Sequence, residues 1–410
     1  MKIKDIGRVV TGKTPATGNA QYYNGKYMFI APTDIAKGFV LTSSERTITE
    51  EGYLSISSNT LHGTSVLVGC IGSDMGNVAI VEESCATNQQ INAITDIKCH
   101  VNPYYVYYYL SMRKSYLRTL AGVTTTPILP KSTFEEIDIV LPPKLIQDKV
   151  VNILYVLDDK IRQNARICAE LESMAKTLYD YWFTQFDFPN AEGKPYRSSG
   201  GEMVWNDQLK REIPKGWEAK RLSDICTFRN GINYEKGCAG NRIYKIANVR
   251  NITASSLLMD ANDFDEISLP SEQADRYAIK KNDIIIARSG TPGATRLILK
   301  PADNVIFCGF IICCTPENSN HRMLLAHFLK QLEGTSATKT GGSILQNVSQ
   351  DTLKSLCVAI PNDEVINSFN EKLVPMIAMI QHAIDENSEL TKLRDWLLPM
   401  LMNGQARVET

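Results

Sequence analysis

One stretch near the N-terminus fits the pattern of a nucleotide-binding loop. Residues 7–14 read Gly-Arg-Val-Val-Thr-Gly-Lys-Thr, which satisfies G-x-x-x-x-G-K-[ST], a loop whose backbone amides hold phosphate groups. Such a loop must lead directly into a helix, because the amides at a helix N-terminus bind the phosphates. Pro15 disfavours a helical conformation at Thr14, and residues 17–19 (Thr-Gly-Asn) continue as a turn. We therefore interpret the stretch as a turn, with a nucleotide-binding enzyme kept as an alternative.

Two further stretches imitate catalytic motifs. Residues 102–105 (Asn-Pro-Tyr-Tyr) resemble the Asn-Pro-Pro-Tyr motif with which adenine methyltransferases hold a flipped base, but the second proline is missing. We interpret Asn102 instead as the N-cap of a helix over 103–120 that begins with Pro103. A set that imitates a nuclease metal site lies in a linker containing proline and glycine, away from any predicted strand: Asp187, Glu192 and Lys194.

The ten cysteines and five histidines show no metal-ligand spacing. Neither C-x-x-C nor H-E-x-x-H occurs, and several cysteines lie in apolar runs such as 311–314 (Ile-Ile-Cys-Cys). We expect reduced, mostly buried thiols, as in a cytoplasmic protein. The sequence also lacks a Ser–His or Cys–His constellation, so it predicts no catalytic residue, no metal site and no cofactor bound by this chain.

Composition is that of an ordinary globular protein. The chain has 410 residues, of which 43% are hydrophobic and 22% charged, and its net charge is −1. This length suggests two or three domains. Residues 1–5 lack the apolar segment of a signal peptide and no window holds 18 apolar residues, so we expect a cytoplasmic protein without a membrane partner. Any binding of nucleic acid must come from local patches, because the total charge is near zero.

The sequence repeats itself with one constant offset. Residues 3–6 (Ile-Lys-Asp-Ile) match 222–225 (Leu-Ser-Asp-Ile), and residues 132–142 match 351–361, each ending in proline. Further features follow the same register or lie one position from it; these are Gly12 and Gly231, Gly122 and Gly341, and the runs 66–72 and 284–290. Two copies of one unit explain an offset that holds over most of the chain.

Each copy divides into a mixed domain and a long helix. Short β-rich runs between Gly, Asn and Pro turns predict strands at 27–31, 66–71, 77–81, 244–249, 283–287 and 296–299. We therefore predict an α+β protein with two similar mixed α/β domains, each followed by a long helix. The predicted parts are a first domain 1–142, a helix 143–184, a central linker 185–213, a second domain 214–361, a second helix 362–404 and a tail 405–410.

Apolar residues every three or four positions predict that the two helices pack along their length as a coiled coil. The seam runs over 144–183 and 363–402, and forty residues correspond to about 60 Å. An antiparallel pair relates the copies by an approximate two-fold axis with one domain at each end, which suits two half-sites on duplex DNA. Asn164 lies near the seam, where it either fixes the register or is an imperfection. Pro375 is expected to kink the second helix.

Polar loops recur at matching places in both copies and are the candidate contacts with DNA. Arg, Lys, Asn and Gln side chains pair with base edges, while Ser, Thr and backbone amides hold phosphates. In the first copy the candidates are Lys13, Thr14, Lys26, Ser73, Asn77, Asn88, Gln89, Gln90, Thr124 and Thr125. In the second copy they are Arg229, Asn230, Tyr234, Lys236, Arg250, Asn251, Arg288, Ser289, Thr291, Lys339, Thr340 and Ser343. For any one of these loops, a solvated turn explains the same residues.

A run of five tyrosines at 104, 105, 107, 108 and 109 is a further candidate for base stacking. On a helix these side chains point around the whole axis, so some of them must face the core. We therefore interpret the run as core packing.

The junction between the copies resembles one family. Residues 181–190 (Tyr-Trp-Phe-Thr-Gln-Phe-Asp-Phe-Pro-Asn), 193–196, 199–201 and 212–217 (Glu-Ile-Pro-Lys-Gly-Trp) look like the central linker of the specificity subunit of type I restriction–modification enzymes. The openings of both copies fit as well, and so do the closing residues 397–404. The resemblance covers nearly the whole chain.

The resemblance implies a subunit that reads DNA and performs no chemistry. In that family each variable domain reads one half of a bipartite DNA sequence, and the helices set the spacing between the halves. The implied partners are double-stranded DNA, two adenine methyltransferase subunits that use S-adenosylmethionine and, through them, motor-nuclease subunits that use ATP and Mg. A coiled-coil adaptor that binds only proteins stays open as the second alternative.

Overall fold

The structure, a computed structural model, describes residues 1–36, 38–121, 127–235, 240–333 and 347–406. The chain forms two compact units. Unit 1 combines Met1–Ile161 with the helical residues from Glu389 onward, and unit 2 is Arg162–Ser388. Each unit therefore contains one α+β domain together with a part of both long helices.

Unit 1 is built on two four-stranded sheets. Its strands are β1 (Arg8–Thr11), β2 (Tyr23–Ile30), β3 (Arg46–Ile48), β4 (Thr60–Leu61), β5 (Ser65–Gly69), β6 (Val78–Val81), β7 (Cys85–Thr87) and β8 (Ile91–Thr95). The first sheet has the order β1-β8-β5-β6 with antiparallel neighbours. The second has the order β3-β2-β7-β4, in which β2 and β7 are parallel. Strand β5 is buried along its whole length, as expected of a central strand with an apolar run.

Unit 2 repeats this topology, which confirms the predicted duplication. Its strands are β9 (Met203–Asn206), β10 (Arg211–Pro214), β11 (Glu218–Arg221), β12 (Cys226–Asn230), β13 (Arg242–Ala247), β14 (Asp265–Leu269), β15 (Ile284–Ala287), β16 (Thr295–Leu297), β17 (Val305–Phe307), β18 (Ile311–Pro316) and β19 (Cys357–Ile360). The order β12-β18-β15-β16 reproduces β1-β8-β5-β6. The order β14-β13-β17 reproduces β3-β2-β7, with the same parallel pair.

The helices include the three that the sequence predicted and others that it did not. They are α1 (Pro32–Ile35), α2 (Glu50–Leu54), α3 (Pro103–Ser111), α4 (Lys114–Thr119), α5 (Lys131–Glu135), α6 (Lys144–Tyr179), α7 (Leu222–Ile225), α8 (Val249–Ala254), α9 (Ser271–Ala274), α10 (Arg322–Gln331), α11 (Gln350–Ser355) and α12 (Asp363–Met402). The helix predicted over 103–120 is present as α3 and α4, and the side chain of Asn102 caps α3 by accepting from the Tyr104 amide (2.9 Å). Helix α10 is its counterpart in the second copy, and it lacks the Asn–Pro start that marked α3 in the sequence.

The tyrosine run of α3 is mostly core, as interpreted from its spacing. Tyr105, Tyr108 and Tyr109 are each at most 2% exposed. They belong to the hydrophobic core of unit 1, which also contains Val150 and Leu154 of α6. The run therefore fastens the first domain to the beginning of the first long helix.

The two long helices pack antiparallel, as predicted. Within unit 2, the amide nitrogen of Asn164 on α6 donates to Asn387 Oδ1 on α12 (2.9 Å), while the ring of Tyr179 lies 6.5 Å from that of Phe369. The contact residues in α12 therefore have lower numbers as the residue numbers in α6 increase, which is the antiparallel arrangement. Asn164 is 2% exposed, so its amide is a buried polar contact within the seam and it favours this register. Helix α12 continues through Pro375 as one element.

The junction between the two copies contributes to the core of unit 2. After α6 a π-helical turn (Asp180–Thr184) brings Phe183 onto the edge of Phe369, with ring centroids 4.7 Å apart. Phe183 also lies 5.7 Å from Trp217, just beyond the linker. The aromatic residues that carried the family resemblance therefore bind the end of α6 to the second domain.

The nine cysteines in the described ranges are free thiols, and most of them are buried. Burial raises the pKa of Cys70 to about 11 and that of Cys85 to about 12. None of the helices that the structure describes is long and apolar enough to cross a membrane. In the same part of the chain, no group of three His, Cys, Asp or Glu side chains is arranged to hold a metal ion.

Candidate nucleic-acid interface

One edge of the first sheet in each unit gathers the predicted polar loops. Because neighbouring strands are antiparallel, the end of one strand lies beside the beginning of the next. In unit 1 the ends of β1 and β5 therefore lie beside the beginnings of β8 and β6. The loops at this edge are 12–14, 70–77 and 88–90, and they carry most of the first copy's candidate residues.

A tight turn before β8 forms the centre of this edge in unit 1. We call residues 88–91 the tip turn of unit 1. The amide of Ile91 donates to the carbonyl oxygen of Asn88 (3.3 Å), which closes the turn. The amide of Cys70 donates to the carbonyl oxygen of Gln90 (2.8 Å), which ties the turn to the loop after β5. These bonds hold the backbone from which the glutamine side chains are presented.

Unit 2 has the same turn at residues 308–311, which we call the tip turn of unit 2. The amide of Ile311 donates to the carbonyl oxygen of Cys308 (3.0 Å). The amide of Arg288 donates to the carbonyl oxygen of Phe310 (2.8 Å). These donors and acceptors occupy the places in the second copy that correspond to those of unit 1. The two copies therefore present different side chains on one backbone frame.

The repeated glycines are required by close packing against the tip turns. The amide of Gly12 donates to the carbonyl oxygen of Ile91 (3.1 Å), and the amide of Gly231 donates to the carbonyl oxygen of Ile311 (3.2 Å). A Cβ atom at Gly12 would lie 2.1 Å from the carbonyl oxygen of Asn88, and one at Gly231 would lie 2.1 Å from that of Cys308. Such distances exclude any side chain at either position without movement of the backbone.

The stretch that matches a nucleotide-binding loop belongs to this edge instead. Residues 8–11 form strand β1, and the described residues 13–19 form no helix; the next element is a short 3₁₀ turn (Ala20–Tyr22). A phosphate cradle needs the N-terminus of a helix at this place. Lys13 is exposed, and the hydroxyl of Thr14 donates to Gln89 Oε1 (2.7 Å). The geometry thus brings Lys13 and Thr14 to the tip turn.

Side chains of the unit 1 tip turn combine a fixed asparagine with two exposed glutamines. Asn88 Oδ1 accepts from the amide of Gln90 (3.0 Å), and Asn88 Nδ2 donates to Gln90 Oε1 (3.1 Å). Gln89 and Gln90 are exposed, whereas Asn88 is half-buried. An exposed amide side chain can form two hydrogen bonds with one base edge, so Gln89 and Gln90 are the strongest candidates in unit 1.

The remaining candidates of unit 1 are placed differently. Ser73 is exposed in the loop after β5, and its carbonyl oxygen accepts from Arg118 Nη2 (2.9 Å). Asn77 is half-buried and its Oδ1 accepts from Lys114 Nζ (2.6 Å), so its side chain holds the loop. Lys26 lies on β2 of the other sheet, where it pairs with the exposed Glu50 (3.4 Å).

Unit 2 places Arg288, Ser289 and Thr291 in the loop after β15. Arg288 is half-buried, and its guanidinium donates to the carbonyl oxygen of Gly309 in the tip turn (3.4 Å). The hydroxyl of Thr291 lies 3.3 Å from that of Thr253. Asn230 is exposed at the end of β12. Together these residues match the arrangement around the unit 1 tip turn.

Helix α8 contributes a neighbouring polar cluster. Arg250 is exposed and pairs with Asp265, while Tyr234 donates to Asn248 Oδ1 (3.3 Å). Asn251 is only 8% exposed, and its amide donates to the carbonyl oxygen of Asp263 (3.0 Å), so it supports the helix from inside. Of the two adjacent candidates, only Arg250 faces outward.

Arg229 is bound within the domain. Its guanidinium pairs with Asp283, which is fully buried, and donates to the carbonyl oxygen of Ala278 (3.1 Å). Asp283 also accepts from the amide of Lys280 (2.7 Å). Releasing Arg229 to contact a base would leave a buried carboxylate without its counter-charge, which costs several kcal/mol. Its role in this geometry is to hold β12 to the turn before β15.

Six candidates lie outside the described residues, and their positions stay predictions. They are Thr124, Thr125, Lys236, Lys339, Thr340 and Ser343. The other sixteen candidates all lie within the described residues.

Sequence reasoning missed one exposed residue at this edge of the sheet, Phe310. It lies in the unit 2 tip turn and 63% of its surface is exposed. Its counterpart in unit 1 is Gln90, since both carbonyl oxygens accept from the loop after the central strand. The repeat offset of 219 pairs Gln90 with Gly309, one position before Phe310, and a search restricted to polar loops passed over an aromatic residue.

A buried polar network joins the first domain to both long helices within unit 1. Asp158 on α6 is 5% exposed; it accepts from the hydroxyl of Tyr108 (2.7 Å) and from Arg394 Nη1 on α12 (2.7 Å). Burial and then the charge of Asp158 raise the pKa of Tyr108 well above its usual value. Burial opposes the charge on Arg394, but the hydrogen bonds and charges of Asp158 and Asp395 together outweigh it and raise the pKa of the guanidinium. Asp158 is therefore the anchor between domain and helices.

Comparisons with known proteins find relatives from a single family. The family model for the type I restriction modification DNA specificity domain matches residues 1–173 and 214–394. The whole chain is 29% identical to the type I restriction enzyme MjaIX specificity subunit of Methanocaldococcus jannaschii and covers 93% of it. Over 67% of its length it is 25% identical to the HindI specificity subunit of Haemophilus influenzae, covering 71% of that protein. The crystal structure of an S subunit from M. genitalium shares the fold, with a TM-score of 0.56 at 14% identity and coverage of 100% of this chain and 96% of that one.

Proposed function

The chain belongs to the type I restriction–modification DNA specificity family, whose members are DNA sequence-recognition subunits, and from this premise we propose that each domain reads one half of a split target. The observation that supports the proposal most directly is the pair of tip turns. They share a backbone frame and carry different side chains, Gln89 and Gln90 in unit 1 and Phe310 beside Arg288 in unit 2. One fold used twice with different contacts suits two unlike half-sites.

Catalysis in such a system is performed by other subunits, with which this chain works in a complex on DNA. We propose that its partners are two adenine methyltransferase subunits, which use S-adenosylmethionine, and motor-nuclease subunits attached through them, which use ATP and Mg. The chain itself then supplies base recognition and scaffolding. We also propose that it acts in the cytoplasm, on double-stranded DNA.

We propose the predicted boundaries as functional parts. Residues 1–142 and 214–361 are the two recognition domains, 143–184 and 362–404 are the spacer helices, 185–213 is the linker and 405–410 is the tail. The antiparallel packing of α6 on α12 within each unit supports a spacer role, because a rigid helix pair converts its length into a fixed gap between half-sites.

The spacer helices also offer apolar surface for the methyltransferase partners. In unit 1, Leu145 and Val156 on α6 are 62% and 64% exposed. In unit 2, Met174 on α6 and Met379 on α12 are 53% and 57% exposed. A contiguous exposed apolar patch marks a protein-binding surface, and we propose that these side chains belong to such a patch in each unit. Each unit carries such a surface, which fits one methyltransferase subunit per unit.

The docking proposal is tested by introducing charged side chains on the exposed apolar surface of α6. Leu145→Glu with Val156→Glu should weaken assembly with the methyltransferase at least tenfold, because both carboxylates would have to be desolvated in the interface. Ser115→Glu with Thr119→Glu adds the same two charges at exposed positions of α4 and serves as the control. Analytical ultracentrifugation of the mixed subunits measures the complex, and equal assembly of both variants would contradict the proposal.

The recognition proposal is tested by methylome sequencing of cells that carry the methyltransferase with and without this chain. With the chain, one split sequence should be methylated; without it, that pattern should disappear. Gln89→Ala with Gln90→Ala should relax only one half of the sequence, and Arg288→Ala only the other half. Gln273→Ala, at an exposed position on α9, should change neither half. Unchanged methylation without the chain, or effects of one variant on both halves, would overturn the proposal.

A coiled-coil adaptor that binds only proteins makes the opposite prediction. Substitution of the tip turns would then leave the methylated sequence unchanged, while the charge variants on α6 would still disturb assembly. The two experiments together therefore distinguish the alternatives.

A further inference from the structure

An aromatic side chain is held outward at the centre of the unit 2 interface. Phe310 is 63% exposed, although burying such a ring would stabilise the fold. Single exposed apolar residues are common on protein surfaces, so exposure alone carries no meaning. The location of Phe310 makes its exposure informative, because the residue lies in the tip turn next to Arg288, where unit 1 has Gln90.

The backbone at Phe310 is held from three sides. Its carbonyl oxygen accepts from the amide of Arg288 (2.8 Å), and the preceding Gly309 donates to the carbonyl oxygen of Ile232 (2.7 Å). A Cβ atom at Gly309 would lie 1.9 Å from Asn233 Oδ1, so the turn packs without free space against the loop after β12. A rigid turn loses little conformational entropy on binding, which suits a contact that must meet one atom group.

Base edges offer few apolar groups to such a ring. In the major groove the C5-methyl group of thymine is the apolar feature that distinguishes one base pair from the others, and Phe side chains pack on it. A glutamine at the same place pairs with adenine through its amide instead. Because Phe310 stands where unit 1 has Gln90, the second copy offers an apolar contact to a base edge where the first copy offers hydrogen bonds.

We propose that Phe310 is a specificity-determining residue that contacts the C5-methyl group of one thymine in the half-site read by unit 2. The inference rests on the proposed function and names a base and an atom within it. Removal of one buried methyl group corresponds to roughly a fourfold loss of affinity.

The test uses the complete complex of this chain with its methyltransferase partner and duplexes containing its own site. Each thymine is replaced singly by 2′-deoxyuridine, which lacks only the C5-methyl group. With the wild-type chain, one replacement in the unit 2 half-site should weaken binding about fourfold. With Phe310→Ala, the complex should bind thymine and deoxyuridine duplexes equally at that position. Phe310→Leu, which keeps an apolar contact, should restore part of the discrimination.

Matched controls separate this contact from general damage. Gln90→Ala, the equivalent change in unit 1, should keep the full discrimination at the unit 2 thymine. Phe310→Ala should unfold at the wild-type temperature, because the ring is exposed. A fourfold discrimination that survives Phe310→Ala would overturn the inference, and so would a unit 2 half-site without thymine.

A wedge between base pairs is the competing use of an exposed ring. It predicts that Phe310→Ala weakens thymine and deoxyuridine duplexes while the wild-type complex does not distinguish them, and that 2-aminopurine at the site becomes fluorescent only with the wild-type chain. That result would overturn the methyl contact but leave sequence recognition intact. A wild-type complex that binds a duplex of unrelated sequence as tightly as its own site would instead overturn the proposed function and this inference with it.

Discussion

Removal of the Asp158 carboxylate should uncouple the first domain from the long helices. Asp158→Ala leaves the guanidinium of Arg394 without its main counter-charge and the hydroxyl of Tyr108 without its acceptor, in a site where Asp158 is 5% exposed. Loss of one partner from a buried pair costs about 3–5 kcal/mol. The side chain of Arg394 is still 27% exposed and also contacts Asp395 (2.8 Å), so we expect the lower end, about 3 kcal/mol.

The assay is thermal and chemical unfolding of the full chain. Unit 1 has about 180 residues, for which 3 kcal/mol corresponds to a fall of roughly 6–12 °C in the transition temperature. Asp158→Asn keeps the shape and the acceptor for Tyr108, and should lie between the wild type and the alanine variant. Glu170→Ala on the same helix is the control, because the pair of Glu170 with Arg166 is exposed and contributes less than about 1 kcal/mol. A loss for Asp158→Ala that is no larger than the control would refute the reasoning.

The same network predicts a response to alkaline pH. The pKa of Tyr108 in the folded state is raised above its unfolded value of about 10, first by burial and then by Asp158. As the pH rises above about 10, the unfolded chain loses the phenolic proton while the folded chain keeps it. Stability should therefore be unaffected below that pH and should fall above it. Tyr108→Phe should be less stable at neutral pH but should lose this part of the alkaline slope, measured by denaturant unfolding between pH 8 and 11.

Three further outcomes follow from the structure. Gly12→Ala and Gly231→Ala should each destabilise their own unit by about 1–3 kcal/mol in denaturant unfolding, because the added Cβ atom would overlap a backbone carbonyl oxygen. Gly18→Ala is the control, since a Cβ atom there would have no atom within 4 Å and should not change stability. Equal stability of all three variants would contradict the packing. Four residues inserted beside Asn164, with a matching insertion in α12, should lengthen the helix pair by about 6 Å and widen the methylated sequence by one or two base pairs with both halves retained; a changed half with an unchanged gap would speak against a spacer role. Lys13→Ala should leave nucleotide binding, measured by equilibrium dialysis, at the background of the wild type; a loss of binding would revive the nucleotide-binding alternative.

The duplication, the α+β class and the pairing of the long helices were predicted because their signals are local or periodic, and the antiparallel orientation was inferred from the two-fold relation that it gives the copies. A constant offset between matching stretches is visible without coordinates, and a seam of apolar residues is produced by the geometry of a single helix. The N-cap at Asn102 was predicted for the same reason, since its side-chain oxygen accepts from the amides two and three residues ahead. Helix α10 lacks such a start and was missed.

The candidate interface was predicted in composition but not in arrangement. Polar residues near glycines marked the loops, yet Arg229 and Arg250 look alike in the sequence, and only the fold gives one a buried carboxylate and the other an exposed one. Asn251 looked like a contact and is an internal support.

The sequence by itself determined that this chain is two copies of one recognition unit joined by long helices, because repetition and helical periodicity are properties of the chain read in order. Only the tertiary structure decided which side chains are exposed at the candidate interface. Phe310 comes to the centre of it through hydrogen bonds with residues more than twenty positions away, and the partner of Asp158 in α12 is distant in sequence. Such pairings depend on how strands and helices meet in space, which no local pattern records.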